Sequence, residues 1–164
     1  MSMNEHTHVI TYSDEQTEGI KIHKYVQFDS LSIEWATPQD FYDKLDQEFG
    51  FELDVCSTIE NAKCSKFYTK AEDGLKQEWT GVCWCNPPYG REIKHWMKKA
   101  YESSLKGATV VCLIPARTDT QWWHDYVIHA KEIRYIKGRL KFGGATNSAP
   151  FASIVAVFQG VEHE

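Results

Sequence analysis

Asn86, Pro87, Pro88 and Tyr89 are the residues whose types and order could do chemistry together, and they follow directly on the apolar run Val82-Cys83-Trp84-Cys85. The chemistry they suit starts from an exocyclic amino group on a planar base. Its lone pair is delocalised into the ring, which makes the nitrogen a poor nucleophile. Two acceptors aimed at its two hydrogens would draw them out of the ring plane and return electron density to nitrogen. The side-chain oxygen of Asn86 is one such acceptor, and the backbone carbonyl of Pro87 is the other. Pro87 and Pro88 bring no N–H of their own, and their fixed φ stiffens the loop. Tyr89 supplies a flat face for stacking. A base must leave its helix to reach such a pocket, and stacking worth roughly 1–3 kcal/mol offsets part of that cost. No strong general base is needed, because the amine can lose its proton after attack. The plainer reading, tandem prolines as strand punctuation, leaves four adjacent matches to one task unexplained.

A loop of this kind has to be held at the edge of a sheet. Strands are predicted at 51–56, 82–85, 108–114 and 132–136, the third a continuous apolar run of the kind found in strands covered on both faces. Helices are predicted between them. The first begins with Thr37 as N-cap and Pro38 at the first helical position, carries Phe41, Leu45 and Phe49 as an apolar stripe, and ends at Gly50. A helical turn is expected at 58–64, and further helices at 91–104, with Ile93, Trp96, Met97, Ala100 and Tyr101 on one side, and at 119–129. Segments 139–142 and 151–158 are expected to pair as an antiparallel hairpin across the 143–150 loop. The alternation implies an α/β sandwich with a mostly parallel sheet and an antiparallel C-terminal hairpin. Ligands bind such sheets at the carboxyl ends of their strands, which singles out Asp54 and the loop at Asn86.

The 164 residues suffice for one domain with a real core. Residues 25–164 are read as that domain and 1–24, polar and aperiodic, as a flexible arm. No run of 18 apolar residues exists, and the first residues lack a basic cluster followed by an apolar block, so a soluble cytoplasmic protein without a membrane partner is expected. Five cysteines, an odd number, argue against a disulfide framework. Cys83 and Cys85 should share one strand face as small buried hydrophobes, with no metal expected. The net charge of −5 conceals an asymmetry: residues 1–82 carry −9 and residues 83–164 carry +4, with all four arginines in the second half. That division permits a basic face for a polyanion.

From about Trp35 to Phe158 the chain resembles the phage-type DNA N6-adenine methyltransferases, the small Dam-like enzymes of phages and prophages. The resemblance is carried in order by Trp35-Ala36-Thr37-Pro38, Leu53-Asp54-Val55-Cys56, Asp73-Gly74-Leu75 with Trp79, the Asn86–Tyr89 tetrapeptide, Leu113-Ile114-Pro115-Ala116 with Thr118-Asp119-Thr120 and Trp122-Trp123, Gly138-Arg139-Leu140, and Ala149-Pro150-Phe151. The chain departs from the wider methyltransferase pattern in having no glycine-rich loop after Asp54, and only 31 residues stand between Asp54 and Asn86.

The resemblance implies the three-layer fold of methyltransferases that use S-adenosylmethionine, methyl transfer to adenine N6 of double-stranded DNA, and action in the cytoplasm of a bacterial host. It implies cofactor contacts from Thr37 and Pro38, where a helix N-terminus attracts a carboxylate, from Asp54 toward the methionine ammonium or the ribose hydroxyls, from Asp73 toward the adenine amino group, and from Asn86. Arg117, just after an apolar strand, is the favoured DNA contact, with Arg139 and Lys141. Trp122 joins them, because Trp122 and Trp123 are not expected to face inward together on one helix. Lys94, Lys98, Lys99, Arg134 and Lys137 form two more basic groups that could meet phosphates. The tetrapeptide alone also suits RNA adenine, cytosine N4 or a protein glutamine, and a non-catalytic nucleic-acid-binding module could keep the fold.

Overall fold

The computed structural model describes residues 36–144 and 148–160. The arm at 1–24, Trp35 and the middle of the 143–150 loop lie outside them. The described chain forms a mixed α/β structure around one five-stranded sheet.

The elements in chain order are α1 (Gln39–Phe49), β1 (Leu53–Asp54), β2 (Val82–Cys85), α2 (Ile93–Leu105), β3 (Thr109–Pro115), α3 (Gln121–Asp125), β4 (Glu132–Tyr135) and β5 (Ser153–Gln159), with short 3-10 turns at Gly74–Lys76, Val127–His129 and Phe142–Gly144. Across the sheet the strands run β1-β2-β3-β5-β4. β1, β2 and β3 are parallel neighbours, while β5 is antiparallel to both β3 and β4. Four strands therefore point one way, and β5 is inserted against them. This corrects the expected hairpin. Residues 139–142 form no strand, and among the described residues one backbone bond joins them to the far side of the loop, from Ala149 N–H to the Leu140 carbonyl, 2.8 Å. The partner that β5 takes instead is β4, an earlier strand.

Alternation along the central strands feeds two apolar clusters. Val110, Cys112 and Ile114 of β3 join Ile154, Ala156 and Phe158 of β5 in one; Val111, Leu113, Val155 and Val157 join the other. Period-two side-chain placement makes both faces apolar. α2 buries Ile93, Trp96, Met97 and Ala100, an i, i+3, i+4, i+7 stripe, in the first cluster. Cys83 and Cys85 lie in it as well, buried free thiols, as the strand alternation predicts.

α1 buries Tyr42 and Leu45 in the second cluster, with Phe41 and Phe49 only half-buried at its margin. The expected stripe faces this cluster, and Tyr42, which lay outside it, is buried there as well. α1 ends at Gly50 (φ 67°), a conformation that favours glycine, whose N–H donates to the Asp46 carbonyl. The helix expected at 119–129 breaks into α3 and a 3-10 turn. No described helix is long and apolar enough to cross a membrane.

Candidate active site

Because β1, β2 and β3 are parallel, Asp54, Asn86 and Arg117 come to one edge of the sheet, at or just past the strand ends. A cavity of about 880 Å³ opens there. Among its walls are Thr37, Asp54, Asp73, Asn86 and Pro88, drawn from positions 37 to 88 of the chain. A smaller cavity of about 440 Å³, bordered by Lys76, Lys99 and Lys106, lies by Gly81 and Ala108 at the amino ends of β2 and β3; of the motif residues only Trp79 borders it.

Asp54 is 1% exposed. Its Oδ1 accepts the Cys56 N–H at 3.2 Å and its Oδ2 accepts the Lys63 N–H at 3.0 Å, so the 55–63 loop wraps the carboxylate in backbone donors. Burial raises its pKa from 3.8 to about 6, and those two bonds hold the rise down. Thr58 and Asn61 lock the far side of the loop reciprocally, Thr58 N–H to Asn61 Oδ1 at 2.7 Å and Asn61 N–H to Thr58 Oγ1 at 3.2 Å. A buried hydroxyl in the same wall, Ser57 Oγ, has no hydrogen-bond partner.

Asp73 borders the cavity at φ 55°, ψ 92°, an unusual backbone for a residue with a Cβ. Its side chain accepts the Leu75 N–H at 3.1 Å and so caps the 3-10 turn. The next residue, Gly74, fits because it has no side chain. A Cβ there would sit 2.1 Å from the Val55 carbonyl and about 3.1 Å from the Trp96 ring. Trp79 Nε1 donates to the Gly74 carbonyl at 2.8 Å, and its ring stacks on Trp96 at 5.9 Å.

Asn86 is half-buried on the cavity wall. Its Nδ2 donates to Thr37 Oγ1 at 3.1 Å, and its Oδ1 accepts from the Tyr89 hydroxyl at 3.3 Å. The same hydroxyl stands 3.3 Å from the Leu113 carbonyl. Three of the expected roles change here. Thr37 does not cap α1: Pro38 stands at the N-cap position and no side-chain cap bond is made. The Thr37 hydroxyl meets Asn86 instead. Pro38 itself does not border the cavity. Tyr89, expected to offer an open face, is 4% exposed, with Phe151 edge-on at 5.4 Å and Phe142 at 6.3 Å. Its ring braces the loop from below. Pro87 is buried and, like Tyr89, is not among the cavity's lining residues.

The basic residues divide. Arg117 is half-buried just past β3, its carbonyl accepting the Thr120 N–H and hydroxyl. Arg139 and Lys141 are exposed, and Arg139 Nη1 reaches the Ala149 carbonyl at 3.4 Å. Arg134 is engaged in protein contacts, with its guanidinium donating to both carboxylate oxygens of Glu48 at 2.6 and 2.5 Å and to Glu132 at 2.7 Å. Trp122 is no surface contact. Trp122 and Trp123 are both buried, with ring centroids 6.0 Å apart and planes tilted by 55°, in the cluster under α2. A helix as short as α3 can sink both rings.

Sequence reasoning passed over Ser57, Lys63 and Glu92, all on the cavity wall. Only Asn61, three residues after Thr58, had a local signature, the spacing of a reciprocal cap.

The cavity suits a nucleoside bearing an amino-acid arm. It has room for a small molecule, a buried carboxylate for a cation or hydroxyls, polar hydroxyls, and the apolar walls of Val55, Leu75 and Trp96 for a ring. The family model described as DNA N-6-adenine-methyltransferase (Dam) matches residues 27–159. The DNA N-6-adenine-methyltransferase of Haemophilus phage HP1 (strain HP1c1) is 36% identical over 105 residues, which cover 62% of this chain and 61% of that protein. The enzyme of the same name from Escherichia phage T1 is 32% identical over 115 residues, 68% of this chain and 48% of that protein. The chain thus aligns with about half to three-fifths of the length of these relatives.

Proposed function

The chain belongs to the DNA N-6-adenine-methyltransferase (Dam) family, and from that premise we propose that it transfers a methyl group from S-adenosylmethionine to N6 of a flipped adenine in double-stranded DNA. The observation that carries the reading is the shared cavity: Asn86, past the end of β2, opens onto the same space as Asp54 at the end of β1. The corresponding architecture is the three-layer methyltransferase sandwich, supported by apolar clusters fed from alternate positions of β3 and β5.

Bound S-adenosylmethionine supplies an electrophilic methyl carbon on a positively charged sulfur. The work of the chain is to bind, orient and polarise. Asp54, ionised, attracts the ammonium or holds the ribose hydroxyls of the donor. Thr37, beside the start of α1, meets the carboxylate. Asp73 accepts from the adenine amino group of the donor. Asn86 Oδ1, on the cavity wall, takes one hydrogen of the target amine and raises its nucleophilicity; the Pro87 carbonyl, set back from that wall, is the acceptor assigned to the second hydrogen. The acceleration comes from positioning and from acceptors fixed before the reaction. Arg117, Arg139 and Lys141 meet DNA phosphates.

The test is transfer of isotope-labelled methyl from S-adenosylmethionine into adenine-containing duplexes, followed by mass analysis of the nucleosides. N6-methyladenine is the expected product. Label in cytosine N4, in RNA only or in protein would reassign the acceptor, and no binding of S-adenosylmethionine in calorimetry would reduce the chain to a binding module.

A further inference from the structure

An asparagine amide is nearly symmetric in shape, so its hydrogen-bond partners decide which end faces a ligand. For Asn86 the decision matters. With Oδ1 toward the target amine the group accepts and polarises; with Nδ2 there, two donors face each other. On the Tyr89 side the choice is weak. The phenol has one proton and two acceptors at 3.3 Å, Asn86 Oδ1 and the Leu113 carbonyl. If the proton goes to Leu113, the phenol oxygen can accept Nδ2 equally well. On the other side stands Thr37 Oγ1, 3.1 Å from Nδ2. A hydroxyl both donates and accepts, and its role here depends on where its own proton goes.

Thr37 is 4% exposed yet borders the cavity beside Asn86. Its segment is tethered, since the Gly143 N–H donates to the Ala36 carbonyl at 2.8 Å and the Tyr42 N–H to the Pro38 carbonyl at 3.1 Å. Thr37 is therefore a fixed point shared by the donor's cavity and by the amine-polarising side chain. We propose that Thr37 is a positioning residue that relays donor binding to Asn86. Its hydroxyl donates to the carboxylate of the bound methyl donor, its oxygen is then left to accept only, and the bond it already receives from Nδ2 becomes the one arrangement open to the amide. Oδ1 is thereby committed to the base. As the amine arrives, the Tyr89 hydroxyl turns to donate to the Leu113 carbonyl instead of Oδ1. The inference rests on the methyl-donor reading above, and its failure is separable from the failure of that reading.

The experiment follows the Asn86 side-chain amide by ¹⁵N NMR in the full chain as S-adenosylmethionine is added, and measures steady-state transfer to duplex DNA in parallel. In the wild type the two Nδ2 proton resonances should shift and sharpen on binding. In Thr37→Val, which keeps the shape and loses the hydroxyl, S-adenosylmethionine at saturation should leave them unchanged, and kcat should fall about tenfold with KM for DNA little altered. Thr37→Ser should restore both. Wild-type resonances indifferent to saturating S-adenosylmethionine, or Thr37→Val with full kcat, would overturn the relay; the wild-type titration needs no variant to fold. Failure of the underlying reading looks different, because calorimetry would then detect no binding of S-adenosylmethionine to the wild type, whereas failure of the relay alone leaves that binding and the transfer intact.

Discussion

Asp54 and Lys63 are joined side chain to backbone, the Lys63 N–H donating to Asp54 Oδ2 at 3.0 Å, and this bond closes a loop around a buried carboxylate. Burial lifts that carboxylate to about 6 from the ordinary 3.8. In the ligand-free protein, ionised Asp54 therefore costs on the order of 3 kcal/mol at neutral pH, and the cost disappears as the native carboxyl protonates between about pH 6 and pH 4. The sign for ligand binding is opposite. A protonated Asp54 cannot hold a cation, so affinity for S-adenosylmethionine should decline by up to about tenfold per pH unit below 6. Calorimetric titrations from pH 5 to 8 measure this, and affinity flat over that range would remove Asp54 from the site.

Asn86→Ala should lower methyl transfer by at least about 10²–10³-fold, the scale of removing one fixed polar group from a reacting centre. S-adenosylmethionine affinity should stay within about threefold. Single-turnover transfer paired with calorimetry makes the comparison, and undiminished transfer would reject the role.

Trp122→Ala should act through the core. Deleting a buried indole costs about 3–5 kcal/mol, so urea denaturation should show the loss. DNA affinity, measured where the variant remains folded, should be unchanged. A large affinity loss with wild-type stability would return Trp122 to the DNA surface.

Arg134 and Arg117 should separate in a salt titration. The Arg134 side chain is 30% exposed and its partner Glu48 49%, so Arg134→Ala should cost less than about 1 kcal/mol of stability and leave DNA affinity intact. Arg117→Ala should weaken binding across DNA sequences and lower the slope of log affinity against log salt by about 1. Equal slopes for wild type and Arg117→Ala would exclude the phosphate contact.

The sequence was most legible where a signal is local. The apolar run of β3, the stop at Gly50 and the strand that delivers Asn86 all depend on adjacent residues, and the structure has them. What escaped depends on distant neighbours. Thr37 looks like a cap until Asn86, 49 residues away, takes its hydroxyl. Tyr89 looks open until Phe142 and Phe151 close over it. Period and propensity cannot say that β5 inserts between β3 and β4, since the preference for one strand neighbour over another lies in burial and register across the whole sheet. The cavity wall at Lys63 and Glu92 was invisible for the same reason.

Among the described residues β4 stands at the rim of the sheet, with a consequence for how this protein behaves in a crowded solution. An unpaired strand flank is a template on which another polypeptide can extend the sheet. β4 is only four residues long and bears Glu132 and Arg134, with the guanidinium tied across to Glu48. Those charges keep foreign strands off at almost no expense in stability. Replacing both with valine should turn this edge into one that sticks to itself, with turbidity on concentration as the symptom.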